Sequence, residues 1–143
     1  LLALVRPQRL LVVTNSVDNA AVTHGRSGIR TILVGGEREP QTGSLVGPTA
    51  EQVARGFSFD LFVTSASAID SAVGTAEVSL DEAAVKQVFA SRAAMTVVLA
   101  DSSKLGQRAL VRALEWAQID IVITELDPSD LRLDAYRSLV DLV

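Results

Sequence analysis

The chain has 143 residues, a formal net charge of −4, no cysteine and one histidine. That length suits one domain with a real core, while the missing cysteines exclude disulfides, thiolate catalysis and zinc–cysteine sites, and the lone His24 excludes a multi-histidine metal centre. Hydrophobic residues make up 48% and aromatics 4%, so the core must be aliphatic, as in an α/β sheet rather than an aromatic-rich β-sandwich.

Residues 1–5 open in a helix-like apolar pattern too short for a secretory signal core. Residues 9–14 (RLLVVT) read as the first strand. Asn15 or Ser16 can cap a helix over residues 17–24, closed by Gly25 and Gly28. A second strand covers residues 31–34, and residues 35–47 form a Gly/Pro/Gln/Thr-rich loop. Pro48 suits a first helical position, with a helix to about Arg55. A third strand at residues 61–64 leads into a small polar run with Asp70 and Gly74 in a loop. Ser79 and Glu82 make a capping box that opens the best helix, residues 80–93. Leu80, Ala84, Val85, Val88 and Phe89 share its apolar face, and Lys86, Gln87 and Arg92 point elsewhere. Residues 96–100 and 119–123 are further strands, with residues 109–117 helical between them. Asp127 and Pro128 start a terminal helical region holding Leu131, Leu133, Tyr136, Leu139 and Val140. Strands alternating with helices imply an α/β fold, a mostly parallel sheet flanked by helices.

Four loops after strands carry small, polar or glycine-rich residues. Asp101, Ser102, Ser103, Lys104 and Gly106 put an acid, two hydroxyls, a cation and a glycine where a buried strand ends. Ligands bind at that end of open α/β sheets. A lysine beside hydroxyls suits an anionic, hydroxyl-rich ligand such as a sugar phosphate. The same residues also make a polar turn that caps a following helix, with Lys104 in solvent. Thr14, Asn15 and Ser16 precede a helix whose N–H groups attract anions, or they simply cap it. Gly35 and Gly36, with Glu37 and Arg38, permit close backbone approach to a ligand, or a plain turn with a surface ion pair. Ser65, Ser67 and Asp70 offer oxygens to a sugar or phosphate, or form a serine-rich turn. Neither G-x-G-x-x-G nor G-x-x-x-x-G-K-[ST] occurs, so no dinucleotide or P-loop nucleotide is implied. His24 reads as exposed or dipole-compensating, Trp116 as core or interface, and Asp81/Glu82 and Asp127/Asp130 as helix-start acids. All four loops would lie on one edge of a parallel sheet, and that convergence is a stronger signal than any one of them.

Taken in order, eight segments resemble the effector-sensing domain of DeoR-type sugar-responsive transcriptional repressors. They are VVTNS at 12–16, LVGG at 33–36, LVGP at 45–48, DLF at 60–62, SASAID at 65–70, VK at 85–86, LADSSKLG at 99–106 and DIVITE at 120–125. The resemblance implies a fold like that of pentose-phosphate isomerases and CoA transferases, with a phosphorylated sugar as effector. On it, Lys104, Asp101 and Ser103 match the family's D-x-S-K element, Thr14, Asn15 and Ser16 its T-N-S loop, and Gly35 and Gly36 its G-G turn. Ser65, Asp70 and Lys86 join the expected effector-binding set. Ala68 and Leu105 stand where many members have Gly and Phe. The winged helix-turn-helix that binds operator DNA and the D-x-G-T-T phosphate loop are both expected upstream, residues 1–143 being the sensor domain.

The expected function is therefore that of a cytoplasmic ligand-sensing domain of a repressor of sugar metabolism. No cofactor and no metal are expected. The alternatives are a sugar-phosphate isomerase-like enzyme, with Asp101 or Glu37 as base, and a dimerisation module with a vestigial pocket. Mean hydropathy is +0.32 and no apolar run is long enough to cross a bilayer. The surplus apolar surface points to a homo-oligomer, and Leu131, Leu133, Tyr136, Leu139 and Val140 are the expected contact. The negative charge argues that operator DNA is reached only through the upstream domain.

Overall fold

The structure, a computed structural model, describes Ala3 and residues 9–143. The helix-like pattern of residues 1–5 lies, Ala3 apart, outside the described residues. The chain divides into two compact units, residues 1–56 and 57–143.

In the first unit, β1 (Leu10–Thr14) pairs in parallel with β2 (Ile29–Leu33), Leu10 opposite Ile29 and Thr14 opposite Leu33. Helix α1 (Val17–Thr23) makes the crossover. Ser16 caps it, its hydroxyl accepting from the Asn19 N–H at 3.2 Å, and exposed His24 closes it. Thr23 is buried at the other end, where Thr31 donates to its hydroxyl at 2.7 Å. Residues 35–47 are more than a loop. Within them β3 (Glu37–Arg38) and β4 (Leu45–Val46) pair antiparallel. Helix α2 (Pro48–Arg55) follows, with Pro48 in its first turn as expected and a Glu51–Arg55 ion pair at 2.9 Å.

The second unit is built on a four-stranded parallel sheet. Its strands are β5 (Phe62–Ser65), β8 (Thr96–Leu99), β10 (Ile121–Ile123) and β11 (Asp141–Leu142), in the spatial order β11-β10-β8-β5. A second, antiparallel sheet holds β6 (Ala68–Asp70), β7 (Gly74–Glu77) and β9 (Val111–Arg112). Helix α3 (Leu80–Ser91) is N-capped by Ser79, whose hydroxyl accepts from the Glu82 N–H. Ile69, Val98, Leu114, Val122 and Tyr136 lie in one buried cluster, with Leu105 and Trp116 packed on it. All four phenylalanines stack in a row, Phe57 on Phe59, Phe59 and Phe62 on Phe89, with ring centroids 5.3 to 5.9 Å apart.

Several sequence expectations need correction. Residues 109–117 are not a helix. Val111–Arg112 joins β7, and Thr75 exchanges backbone bonds with both Ala113 and Leu114, so tertiary pairing overrides local helix propensity. The run ending at Asp70 is not a loop, because residues 68–70 pair with residues 74–76. The terminal segment is a single 3-10 turn (Leu131–Leu133) followed by β11 rather than a helical region. Leu133 and Tyr136 are buried in the chain's own core, which removes them from the expected self-association surface. On α3, Leu80 is 73% exposed, and Glu82 rather than Leu80 turns inward. The reason is charge pairing: Lys86 lies one turn on and takes Glu82 to 3.9 Å. Backbone pairing among the described residues assigns the strand-end loops to two ladders, β1–β2 in the first unit and the four-stranded sheet in the second.

Candidate functional site

In the first unit, Thr14 ends β1 level with Leu33 at the end of β2, so Asn15, Ser16, Gly35 and Gly36 leave the ladder at the same end. Their polar groups are largely spent on holding the turn. The buried Thr14 hydroxyl accepts from the Ser16 N–H at 3.1 Å. Asn15 bonds Leu45 through its side-chain amide at 3.2 Å and accepts the Leu45 N–H at its carbonyl at 2.8 Å. Ser16 bridges to Ser44 and caps α1.

In the second unit the register brings three strand ends level, with Ser65 opposite Leu99 and Leu99 opposite Ile123. Ser65, the Asp101–Gly106 loop and Thr124–Glu125 therefore gather at the C-terminal end of one parallel sheet, where ligands bind in such folds. Residues Ser102–Lys104 form a single 3-10 turn. Asp101 caps it, accepting from the Ser103 N–H at 3.0 Å and from the Ser103 hydroxyl. Those two bonds hold the Asp101 carboxyl below its usual range. Glu125 takes the Ser102 N–H on both carboxylate oxygens at 3.0 Å and the Thr124 hydroxyl at 2.9 Å. Hydrogen bonding, led by the Ser102 side chain, pulls its pKa down to about 2. The Lys104 ammonium, half-buried, has no hydrogen-bond or ion-pair partner among the described residues.

The structure uses Lys86 and Asp70 differently. Lys86 is 11% exposed and donates to Glu77 at 2.7 Å and to the Ser65 carbonyl at 2.9 Å. Ser67 donates to the other Glu77 oxygen at 2.8 Å, so the fully buried Glu77 carboxylate is matched on both sides, as a buried charge requires. Asp70 accepts the Ala72 N–H at 2.8 Å, which chiefly lowers its pKa, and meets exposed Arg108 at 3.2 Å. Sequence reasoning missed Glu77 and gave Glu125 and Tyr136 no site role. Glu77 carried no signal, since its partner Lys86 is in a different element. Glu125 was visible only as the acid closing DIVITE. Among the described residues no group of His, Cys, Asp and Glu could hold a metal ion, and no helix is long and apolar enough to cross a membrane.

The Lys104 ammonium thus stands on a braced turn, beside hydroxyls, at the C-terminal end of a parallel sheet. Comparison with known proteins identifies the family. Residues 2–126 match the model of the DeoR C-terminal sensor domain. The HTH-type transcriptional regulator GlpR of Haloferax volcanii is 36% identical over 81% of this chain and 45% of its own. The glycerol-3-phosphate regulon repressor of Escherichia coli is 27% identical over 88% of this chain and 50% of its own. The repressor CsqR of the same organism is 27% identical over 99% of this chain and 54% of its own. The chain thus spans about half the length of the curated relatives it matches. These relatives are transcriptional regulators, so a regulatory domain rather than an isomerase-like enzyme accounts for the motifs. The match over most of its length and the ordered motifs together establish that the chain belongs to the DeoR C-terminal sensor domain family.

Proposed function

We propose that this chain senses a phosphorylated sugar or polyol and relays its presence to a DNA-binding domain of a cytoplasmic repressor. The observation that carries the reading is the Lys104 ammonium, left unpaired on a turn whose other polar groups are bonded. A half-buried cation with no hydrogen-bond partner among the described residues can meet an anion without first breaking a protein contact. Asp101 and Glu125 keep lone pairs for sugar hydroxyls, and Ser65 is exposed beside them. Lys86 supports this site through the Ser65 carbonyl, and Asp70 flanks it. In the first unit Thr14, Asn15, Ser16, Gly35 and Gly36 are proposed contacts on the family resemblance. One relative is named for a glycerol-3-phosphate regulon, which makes that compound the first to try. Paired subunits suit the two-fold operators that helix-turn-helix proteins read, and the exposed Leu80, Leu110 and Leu131 offer apolar surface for pairing.

Calorimetric titration with glycerol 3-phosphate, fructose 1-phosphate and glucose 6-phosphate, each against its unphosphorylated parent, tests the reading. Binding should require the phosphate. A charge-assisted contact contributes about 1.5–3 kcal/mol, so Lys104→Ala should weaken binding roughly ten- to a hundredfold at unchanged thermal stability. Equal affinity of the variant and the wild type would remove Lys104 from the site.

A further inference from the structure

The loop that carries Lys104 is fastened at two points. The first is Glu125, on the Ser102 N–H. The second is the Gly106 N–H. It donates to the Ile69 carbonyl and to the Tyr136 hydroxyl, both at 2.8 Å. The Tyr136 hydroxyl in turn donates to the Ile69 carbonyl at 3.2 Å. Leu105 bridges Ile69 in parallel at the same place. Lys104 sits between the two fastenings. Tyr136 is 4% exposed and its ring packs on Trp116, with centroids 5.8 Å apart and planes at 60°. Trp116 is itself fixed by a 2.9 Å bond from its indole N–H to the Ser71 carbonyl. The hydroxyl is therefore held by a rigid ring rather than by a mobile side chain. Tyr136 also lies beyond residues 2–126, the stretch the family model covers.

We propose that Tyr136 is a positioning residue of the sensing site: through the Gly106 N–H and the Ile69 carbonyl it fixes the turn that presents Lys104. It touches no ligand itself. Gly106 has φ +70° with no atom within 4 Å of where a Cβ would stand. Its conformation is the only obstacle to a side chain there, and that conformation sets the direction in which the chain leaves the Lys104 turn. The proposal rests on the reading of Lys104 as an anion contact, and its test separates the two.

Tyr136→Phe is a clean probe, because Gly106 and Ile69 still satisfy each other when the hydroxyl is gone. Amide exchange and backbone 15N relaxation on the 143-residue chain need no ligand. The variant should exchange the Gly106 amide about three- to tenfold faster and raise the mobility of residues 102–106, while β8 and β10 keep their protection. Gly106→Ala, which attacks the same turn from its backbone, should mobilise the same residues. Unchanged exchange and relaxation at residues 102–106 in Tyr136→Phe, or loosening spread evenly over the core, would overturn the proposal. With whichever of the three phosphorylated probes binds, Tyr136→Phe should weaken affinity three- to tenfold while the fold stays intact and its melting temperature falls by only a few degrees. Loss in Lys104→Ala with full affinity in Tyr136→Phe overturns the positioning role alone. If none of the three binds the wild type, the reading of Lys104 fails, and the relaxation data still decide whether Tyr136 holds the turn.

Discussion

Glu125 shows how a single carboxylate can brace a neighbouring loop. Both of its oxygens accept the Ser102 N–H, and its folded pKa of about 2 lies below the ordinary 4.5. A group whose folded pKa is depressed stabilises the fold above the unfolded value and loses that effect as pH falls through the folded one. The window here runs from about 4.5 down to about 2. Urea midpoints of wild type and Glu125→Gln should differ at neutral pH and converge as pH approaches 2. Asp130, pulled down to about 2 chiefly by its bond from Arg132, titrates in the same window in both proteins and drops out of the difference. A gap independent of pH would show that the variant acts by shape rather than by charge. Lys104 stands at the same scale: its unpaired state carries meaning only because every neighbour on its turn is already bonded.

Among the elements, those readable from sequence were the ones whose signal is local. The runs in β8 and β10 are near-continuous apolar stretches bounded by polar residues, the pattern of buried parallel strands. Helix α3 announces itself at Ser79, and α2 at Pro48. Strand β9 was not readable, because two residues carry no periodicity and Val111–Arg112 becomes a strand only by meeting β7. The same holds for the Tyr136 fastening, whose partners lie 30 and 67 residues away. The D-x-S-K segment was legible as a polar turn after a strand and its bracing was not. At Gly74 the local and the distant coincide. Its φ is +100°, and a Cβ there would come within 2.1 Å of the Leu114 carbonyl oxygen, where β7 and the residues after β9 close together. Gly74→Ala should cost about 1–3 kcal/mol for the backbone conformation, and more for the displaced carbonyl. A urea midpoint unchanged by this substitution would mean that β7 does not need that close approach.

At the scale of the whole chain, charge decides what the protein does alone. A net charge of −4 supplies no clustered cations for the counterion release that drives binding to duplex DNA. The 143-residue chain should therefore leave operator-length DNA unshifted in a gel at micromolar protein and low salt. A salt-sensitive shift would contradict this and give the chain a direct part in operator binding.

The order β11-β10-β8-β5 is also the order of synthesis read backwards. As the polypeptide emerges from the ribosome, each new parallel strand joins the outer edge of the last, and none has to be threaded between two already in place. The final strand closes that edge within a few residues of Tyr136. A nascent chain can thus assemble β5, β8 and β10 before residues 131–143 have emerged, yet the clasp on Gly106 closes only once Tyr136 has been made. On the positioning role assigned to Tyr136, the turn that bears Lys104 is made well before the residue that fixes it.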